Sequence, residues 1–285
     1  MFEKINALYN SIETFEVNKL KIPFNSSWKK IGVNLSGGAD SACLTMLLCD
    51  YIVKNNLNTK IYVITFIRCW NTRPWQKPVA EKVYRYLKEL YPLIIQDQFF
   101  CFIAPEIEHS SIGNIVDNRS ADQITVSSFN EYTAFVHNFD AIFNATTRNP
   151  SGTEFEDRMK NRDIEIDSAE LQHLYYVKKE VAYSMPFKYV EKDWIIAQYK
   201  IFNQWNLFEI TRSCEGDFLT SAEIRKTNKD LRDFLTNAEI RKTIKDLTDY
   251  RPGAPVYECG LCFWCREREW ALDRLNITIE KITEK

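Results

Sequence analysis

Two groups of residues in this sequence have the types and spacing for chemistry. The first is Ser36-Gly37-Gly38-Ala39-Asp40-Ser41, between the apolar run IGVNL (31–35) and a helix-like stretch from Asp40 to about Lys54. Two glycines without a Cβ allow a sharp turn with close backbone approach. A helix that starts at Asp40 or Ser41 points its unbonded N–H groups into that turn, where they and the helix dipole favour an anion. Ser36 and Ser41 add hydroxyl donors, and Asp40 suits a cap or a magnesium ion carried by phosphate. Neither G-x-x-x-x-G-K-S/T nor the third glycine of G-x-G-x-x-G is present. The alternative is a plain strand-to-helix turn in which Asp40 or Ser41 only caps.

The second group lies in YECGLCFWCREREWALDRL at 257–275. Cys259, Cys262 and Cys265 form C-x-x-C-x-x-C, a spacing at which three thiolates wrap one metal ion, and Cys214 in EITRSCEG is the donor that closes a tetrahedron. Zinc on four sulfurs is the favoured ion, in a structural rather than catalytic role. An iron–sulfur cluster is the competitor, since four cysteines ligate those too. Cys43, Cys49, Cys69 and Cys101 sit in apolar segments and read as core thiols. His109, His137 and His173 show no triad or metal spacing.

Elements must hold these groups in place. Apolar runs at 31–35, 61–67, 98–104 and 140–145 alternate with helical patterns at 40–54, 79–91 and near 120–138. Strands at that spacing with helices between them predict βαβ units and a parallel sheet. Residues 1–165 are expected to form this α/β domain, and 166–285 a helical portion that carries the four cysteines. Within the latter, FLTSAEIRKTNKDLRD (218–233) is followed directly by FLTNAEIRKTIKDLTD (234–249), a tandem duplication that reads as a charged amphipathic insert.

A chain of 285 residues, 45% hydrophobic and 27% charged, can bury a sizeable core. A formal net charge of −2 argues against a nucleic-acid backbone as the principal partner. The N-terminal stretch has acidic residues where a signal peptide needs an apolar run, and 42–53 is too short to span a bilayer. A soluble, cytoplasmic protein without a membrane partner is expected. In that compartment cysteines serve as thiols or metal ligands rather than disulfides.

The glycine stretch resembles the SGGxDS loop of the N-type ATP pyrophosphatases, an adenine nucleotide α-hydrolase-like superfamily. Combined with Cys214 and the C-x-x-C-x-x-C, it is similar to the 7-cyano-7-deazaguanine synthase family. Cys265-Arg266-Glu267-Arg268 resembles that family's C-R-E-R, and Thr211-Arg212-Ser213-Cys214 its T-W-S-C. Pro186 to Lys192 resembles a proline-led segment ending in a lysine that opens a helix, and Ser151-Gly152 matches a Ser-Gly pair. Three segments depart from the pattern: Phe66 to Asn71, Asn118-Arg119-Ser120, and Thr153 to Arg158. The loop and cysteines are kept while segments expected to line the substrate pocket are altered.

The resemblance implies a Rossmann-like parallel sheet, ATP bound with magnesium by Ser36, Gly37, Gly38, Asp40 and Ser41, and zinc on the four cysteines. It implies that a carboxylate, 7-carboxy-7-deazaguanine, attacks the α-phosphate of ATP and pyrophosphate leaves into the loop. Ammonia then displaces AMP to give an amide, and a second activation of the amide oxygen yields the nitrile. Lys192 is the candidate lysine for charge on the transferring phosphoryl group, against a solvent-exposed first-turn residue. For Arg119 and Arg148, surface ion pairing is preferred to substrate contact. Three other readings stand beside this one: adenylation of another carboxylate or a protein end, tRNA thiolation, and a non-catalytic nucleotide-binding protein. A homodimer is kept open.

Overall fold

The structure is a computed structural model, and it describes residues 12–67, 76–103, 121–152, 175–214 and 263–278. The expected apolar runs become strands β3 (Lys30–Asn34), β4 (Lys60–Ile67), β5 (Ile95–Phe102) and β6 (Ala141–Phe143). Between them run helices α1 (Ala39–Lys54), α2 (Gln76–Leu90) and α3 (Ala121–His137). Two further strands, β7 (Tyr175–Lys178) and β8 (Val181–Ser184), complete a six-stranded sheet of order β5-β4-β3-β6-β8-β7. Every neighbouring pair is parallel except β7 with β8. The fold is α/β with a parallel, Rossmann-like sheet.

β8 continues the sheet beyond residue 165, where the sequence places the end of the α/β portion. Its four residues, Val181-Ala182-Tyr183-Ser184, are too short a run to stand out as a buried strand. They join through main-chain pairing with β6, in which Ile142 stands opposite Tyr183. A separate hairpin, β1 (Glu13–Val17) with β2 (Leu20–Phe24), lies outside the main sheet. Its Phe15 ring stacks on Tyr51 of α1 at 3.9 Å between centroids.

The two faces of the sheet are unequal. On one, Ile31 and Val33 of β3 pack with Leu44, Leu47 and Leu48 of α1 and Val79, Val83 and Leu87 of α2. The same core takes in Ile195, Ile196 and Tyr199 of α4 (Lys192–Ile201), Leu207 and Phe208 of α5 (Trp205–Ile210), and Ala271 and Leu272 of α6 (Phe263–Arg274). On the other face, Ile64, Phe66 and Ile142 meet Ala134 and Phe139 at the end of α3. Gly32 of β3 has no side chain because a Cβ would lie 3.1 Å from the Phe139 ring. The C-terminal helices therefore pack on the face that carries α1, and through it they reach the glycine loop. Among the described residues no helix is long and apolar enough to cross a membrane.

Candidate active site

β3 is the central strand at which the order of the sheet reverses, with β4 and β5 to one side and β6 and β8 to the other. In open α/β sheets a crevice for ligands forms at the carboxyl ends of the strands at such a point. The loop after β3 is Leu35 to Gly38, and the loop after β6 begins at Asn144. Gly37 has φ +84, and a Cβ on it would lie 2.9 Å from the Ala80 N and 3.0 Å from the Val79 Cγ1 of α2. Both the left-handed backbone and the close approach require glycine.

Gly38 is the N-cap of α1, extended at φ −80 and ψ 161, and makes no side-chain cap bond. Neither Asp40 nor Ser41 stands at the N-cap position. The hydroxyls of Ser36 and Ser41 lie 3.1 Å apart, Ser36 N–H donates to Ser41 Oγ at 3.1 Å, and Gly38 N–H donates to Ser36 Oγ at 3.3 Å. The bend is held from outside by residues far along the chain. Arg212 N–H donates to Gly37 O at 2.9 Å, and Tyr199 Oη donates to Ala39 O at 2.5 Å. Burial, and then the nearby Cys43 and Asp40 charges, push the Tyr199 hydroxyl well above its usual range. The Cys43 thiol is pushed up by burial and then by Asp40.

Lys192 opens α4, and its ammonium donates to both Asp40 oxygens at 2.6 Å. It is 1% exposed, so the solvent-exposed alternative does not hold. Glu267 of α6, fully buried, brings its Oε2 to 3.7 Å from the same nitrogen. Asp40 keeps 17% of its side chain accessible at the mouth of the loop. The start of α4 is fixed in turn: Ser151 donates through its N–H (3.0 Å) and its hydroxyl to Glu191, the N-cap. Arg274 of α6 reaches Glu191 at 3.3 Å and Asp193 at 3.1 Å. Ser151-Gly152 thus supports the helix that presents Lys192.

Of the four cysteines, Cys214 and Cys265 are buried, while Cys259 and Cys262 lie outside the described residues. Arg268 Nη1 donates to Thr211 O at 3.2 Å, which sets the two cysteine-bearing segments side by side. The Arg212 guanidinium donates to Cys214 Sγ at 3.6 Å. Two buried thiols, one beside a cation, suit a thiolate-bound ion. Among the described residues no group of three or more ligands forms. A magnesium ion is suited by the Asp40 carboxylate and the two loop hydroxyls, all oxygen donors.

Several sequence candidates take other places. Arg148 is exposed and its backbone N–H donates to Val190 O at 2.9 Å. His137 stacks on Phe99 at 4.2 Å. Cys43, Cys49 and Cys101 are buried thiols, as read from the sequence. Arg119, His109, His173, Cys69, the 153–158 segment and the tandem repeat at 218–249 lie outside the described residues. Three contributors carried no assigned role from sequence: Glu267, Tyr199 and Arg212. Glu267 and Arg212 stand inside the two cysteine motifs, which is the signal that could have singled them out. Nothing in the sequence marks Tyr199 apart from an ordinary core aromatic.

No protein-family profile matches the chain, and no curated protein matches it. Among solved structures it is similar to the U34-tRNA thiolase NcsA from Methanococcus maripaludis with its 4Fe–4S cluster, at 14% identity and TM-score 0.42, over 94% of this chain and 87% of that one. It is also similar to the NAD+ synthetase from Burkholderia pseudomallei, at 9% identity and TM-score 0.36, over 79% and 81% of the two chains.

Proposed function

We propose that the protein is an ATP pyrophosphatase-type enzyme that adenylates an oxygen of its substrate and releases pyrophosphate and AMP. The observation that carries this reading is the glycine bend at the reversal point of the sheet, with Asp40 at its mouth held by the buried Lys192. Ser36, Gly37, Gly38 and Ser41 would take the pyrophosphate end of ATP, as hydroxyls and helix N–H groups aimed at an anion. Asp40 would hold the magnesium ion that neutralises developing charge on the leaving group. Lys192 faces Asp40 rather than open space, so its part is to set that carboxylate, with contact to phosphate only after it moves.

The finer reading is a ligase of the 7-cyano-7-deazaguanine synthase type, with 7-carboxy-7-deazaguanine and ammonia as substrates. The retained Cys214 and Cys265 segments support it, with zinc on Cys214, Cys259, Cys262 and Cys265 as the proposed structural ion. A carboxylate oxygen forms a bond to the α-phosphorus as the bond to the bridging oxygen breaks and pyrophosphate departs. Ammonia then adds to the acyl carbon, loses a proton, and AMP leaves with the former carboxylate oxygen. A second ATP adenylates the amide oxygen with release of pyrophosphate, and loss of two protons and of AMP with that oxygen gives the nitrile.

A product screen tests both levels. Incubation with ATP, ammonium and 7-carboxy-7-deazaguanine is expected to yield pyrophosphate, AMP and the nitrile by mass spectrometry. ADP with orthophosphate in place of AMP overturns the adenylating reading. Pyrophosphate release that ignores this acid but follows another carboxylate, or sulfur entering tRNA, overturns only the acceptor. Elemental analysis is expected to give about one zinc per chain, and iron with visible absorbance replaces that ion with a cluster.

A further inference from the structure

The Lys192 ammonium stands between two carboxylates, those of Asp40 and Glu267. Both Asp40 oxygens are taken by its nitrogen at 2.6 Å, while Glu267 Oε2 stands at 3.7 Å, beyond a hydrogen bond but within ion-pair reach. The nitrogen is on a residue 1% exposed, so water is not at hand to replace a lost partner. A buried ammonium without a carboxylate is strongly unfavourable. A magnesium ion on pyrophosphate needs a carboxylate oxygen at about 2.0–2.1 Å, and an oxygen already bound to an ammonium serves poorly.

From this geometry we infer that Glu267 is a positioning residue that receives Lys192 when a nucleotide-borne divalent cation arrives at Asp40. A shift of the ammonium by about 1 Å turns the 3.7 Å approach into a hydrogen bond and releases an Asp40 oxygen to the metal. The charge stays paired throughout, and no backbone need move. Lys192 sits at the first residue of α4 and Glu267 in the second turn of α6, and Arg274 ties these helices together, so the distance between the two groups is fixed by packing. The inference rests on the proposed reading of Asp40 and extends it to a residue of the C-terminal helix.

The test is a magnesium titration of pyrophosphate binding, followed by calorimetry on the full chain, for the natural protein and Glu267→Gln. The glutamine keeps the shape but cannot hold the ammonium's charge, so Lys192 stays on Asp40 and competes with the ion. The magnesium concentration for half-maximal binding is expected to rise about tenfold, within the ~5–150-fold range of coupled sites. Binding of pyrophosphate without magnesium is expected to change less than about twofold, a split that general loosening would not produce. Glu267→Asp, which keeps the charge, is expected to recover part of the loss. An unchanged magnesium requirement in Glu267→Gln overturns the inference and leaves the enzyme reading standing. If the natural protein binds no pyrophosphate at any magnesium concentration, both fall. Should the glutamine variant not fold, a crystal structure of the natural protein with magnesium and pyrophosphate decides. Lys192 hydrogen-bonded to Glu267 is expected, and Lys192 still on both Asp40 oxygens overturns the idea.

Discussion

At the residue scale the loop is the most legible part of the molecule, because its chemistry is local. Gly37 has a left-handed backbone at φ +84 and lies too close to α2 to carry a Cβ, and both constraints are met by its lack of one. Gly37→Ala is expected to cost about 1–3 kcal/mol by urea unfolding and to weaken pyrophosphate binding. Glu267 was legible as part of a motif but not as a neighbour of Lys192, because folding alone brings residues so distant in sequence together. The buried thiols make a second prediction. Burial holds the Cys43 and Cys49 thiols above the ordinary thiol range in the folded chain. The folded state then binds a proton that the unfolded state releases first. Their contribution to stability is full below the ordinary thiol range and is lost as pH rises from there through the raised folded values. The melting temperature is expected to fall above about pH 9, and iodoacetamide at pH 8 should leave both residues unlabelled in peptide mass maps. Labelling of either without unfolding would contradict the burial.

At the element scale, strands and helices with clear periodicity were read within a few residues, and the two hairpins were not. A two-residue hairpin turn of type I′ needs φ above zero at both central positions, a requirement usually met by Asn-Gly or Asp-Gly. Here the turns are Asn18-Lys19, at φ 46 and 70, and Lys179-Glu180, at φ 51 and 67. Without glycine the usual signal is missing, and the tertiary packing on α1 and on β6 imposes what the local sequence does not favour. Glu180→Gly is therefore expected to stabilise the protein by roughly 0.5–1 kcal/mol, since glycine meets a positive φ without a Cβ penalty. Thermal unfolding followed by circular dichroism measures it, and a lower melting temperature would show that the turn is not the strained feature described. The reach of the sheet past residue 165 is hidden in the sequence both by the shortness of β8, four residues, and by the glycine-free turn through which it follows β7.

At the scale of the whole molecule, the loop is joined to two helices from the far end of the chain, α4 and α6, and to the segment that follows α5. Arg212 holds Gly37, Tyr199 holds Ala39, and Lys192 with Glu267 holds Asp40. A ligand seated in the loop should therefore stabilise the chain as a unit. Magnesium with ATP at a hundred times its dissociation constant is expected to add about 2.7 kcal/mol, or roughly 5–10 °C in melting temperature. A calorimetric scan with and without the ligand checks it, and a shift confined to a minor, separate transition would contradict the coupling. The bond from Arg212 to Gly37 also has a bearing on biosynthesis. A ribosome extends a chain at roughly 5–20 residues per second, so about ten to fifty seconds separate the emergence of Gly37 from that of Glu267. During that interval the nascent chain displays its glycine bend without the partners that shape it. If the proposed reading of the loop holds, nucleotide capture is expected only after the C-terminal helix has docked.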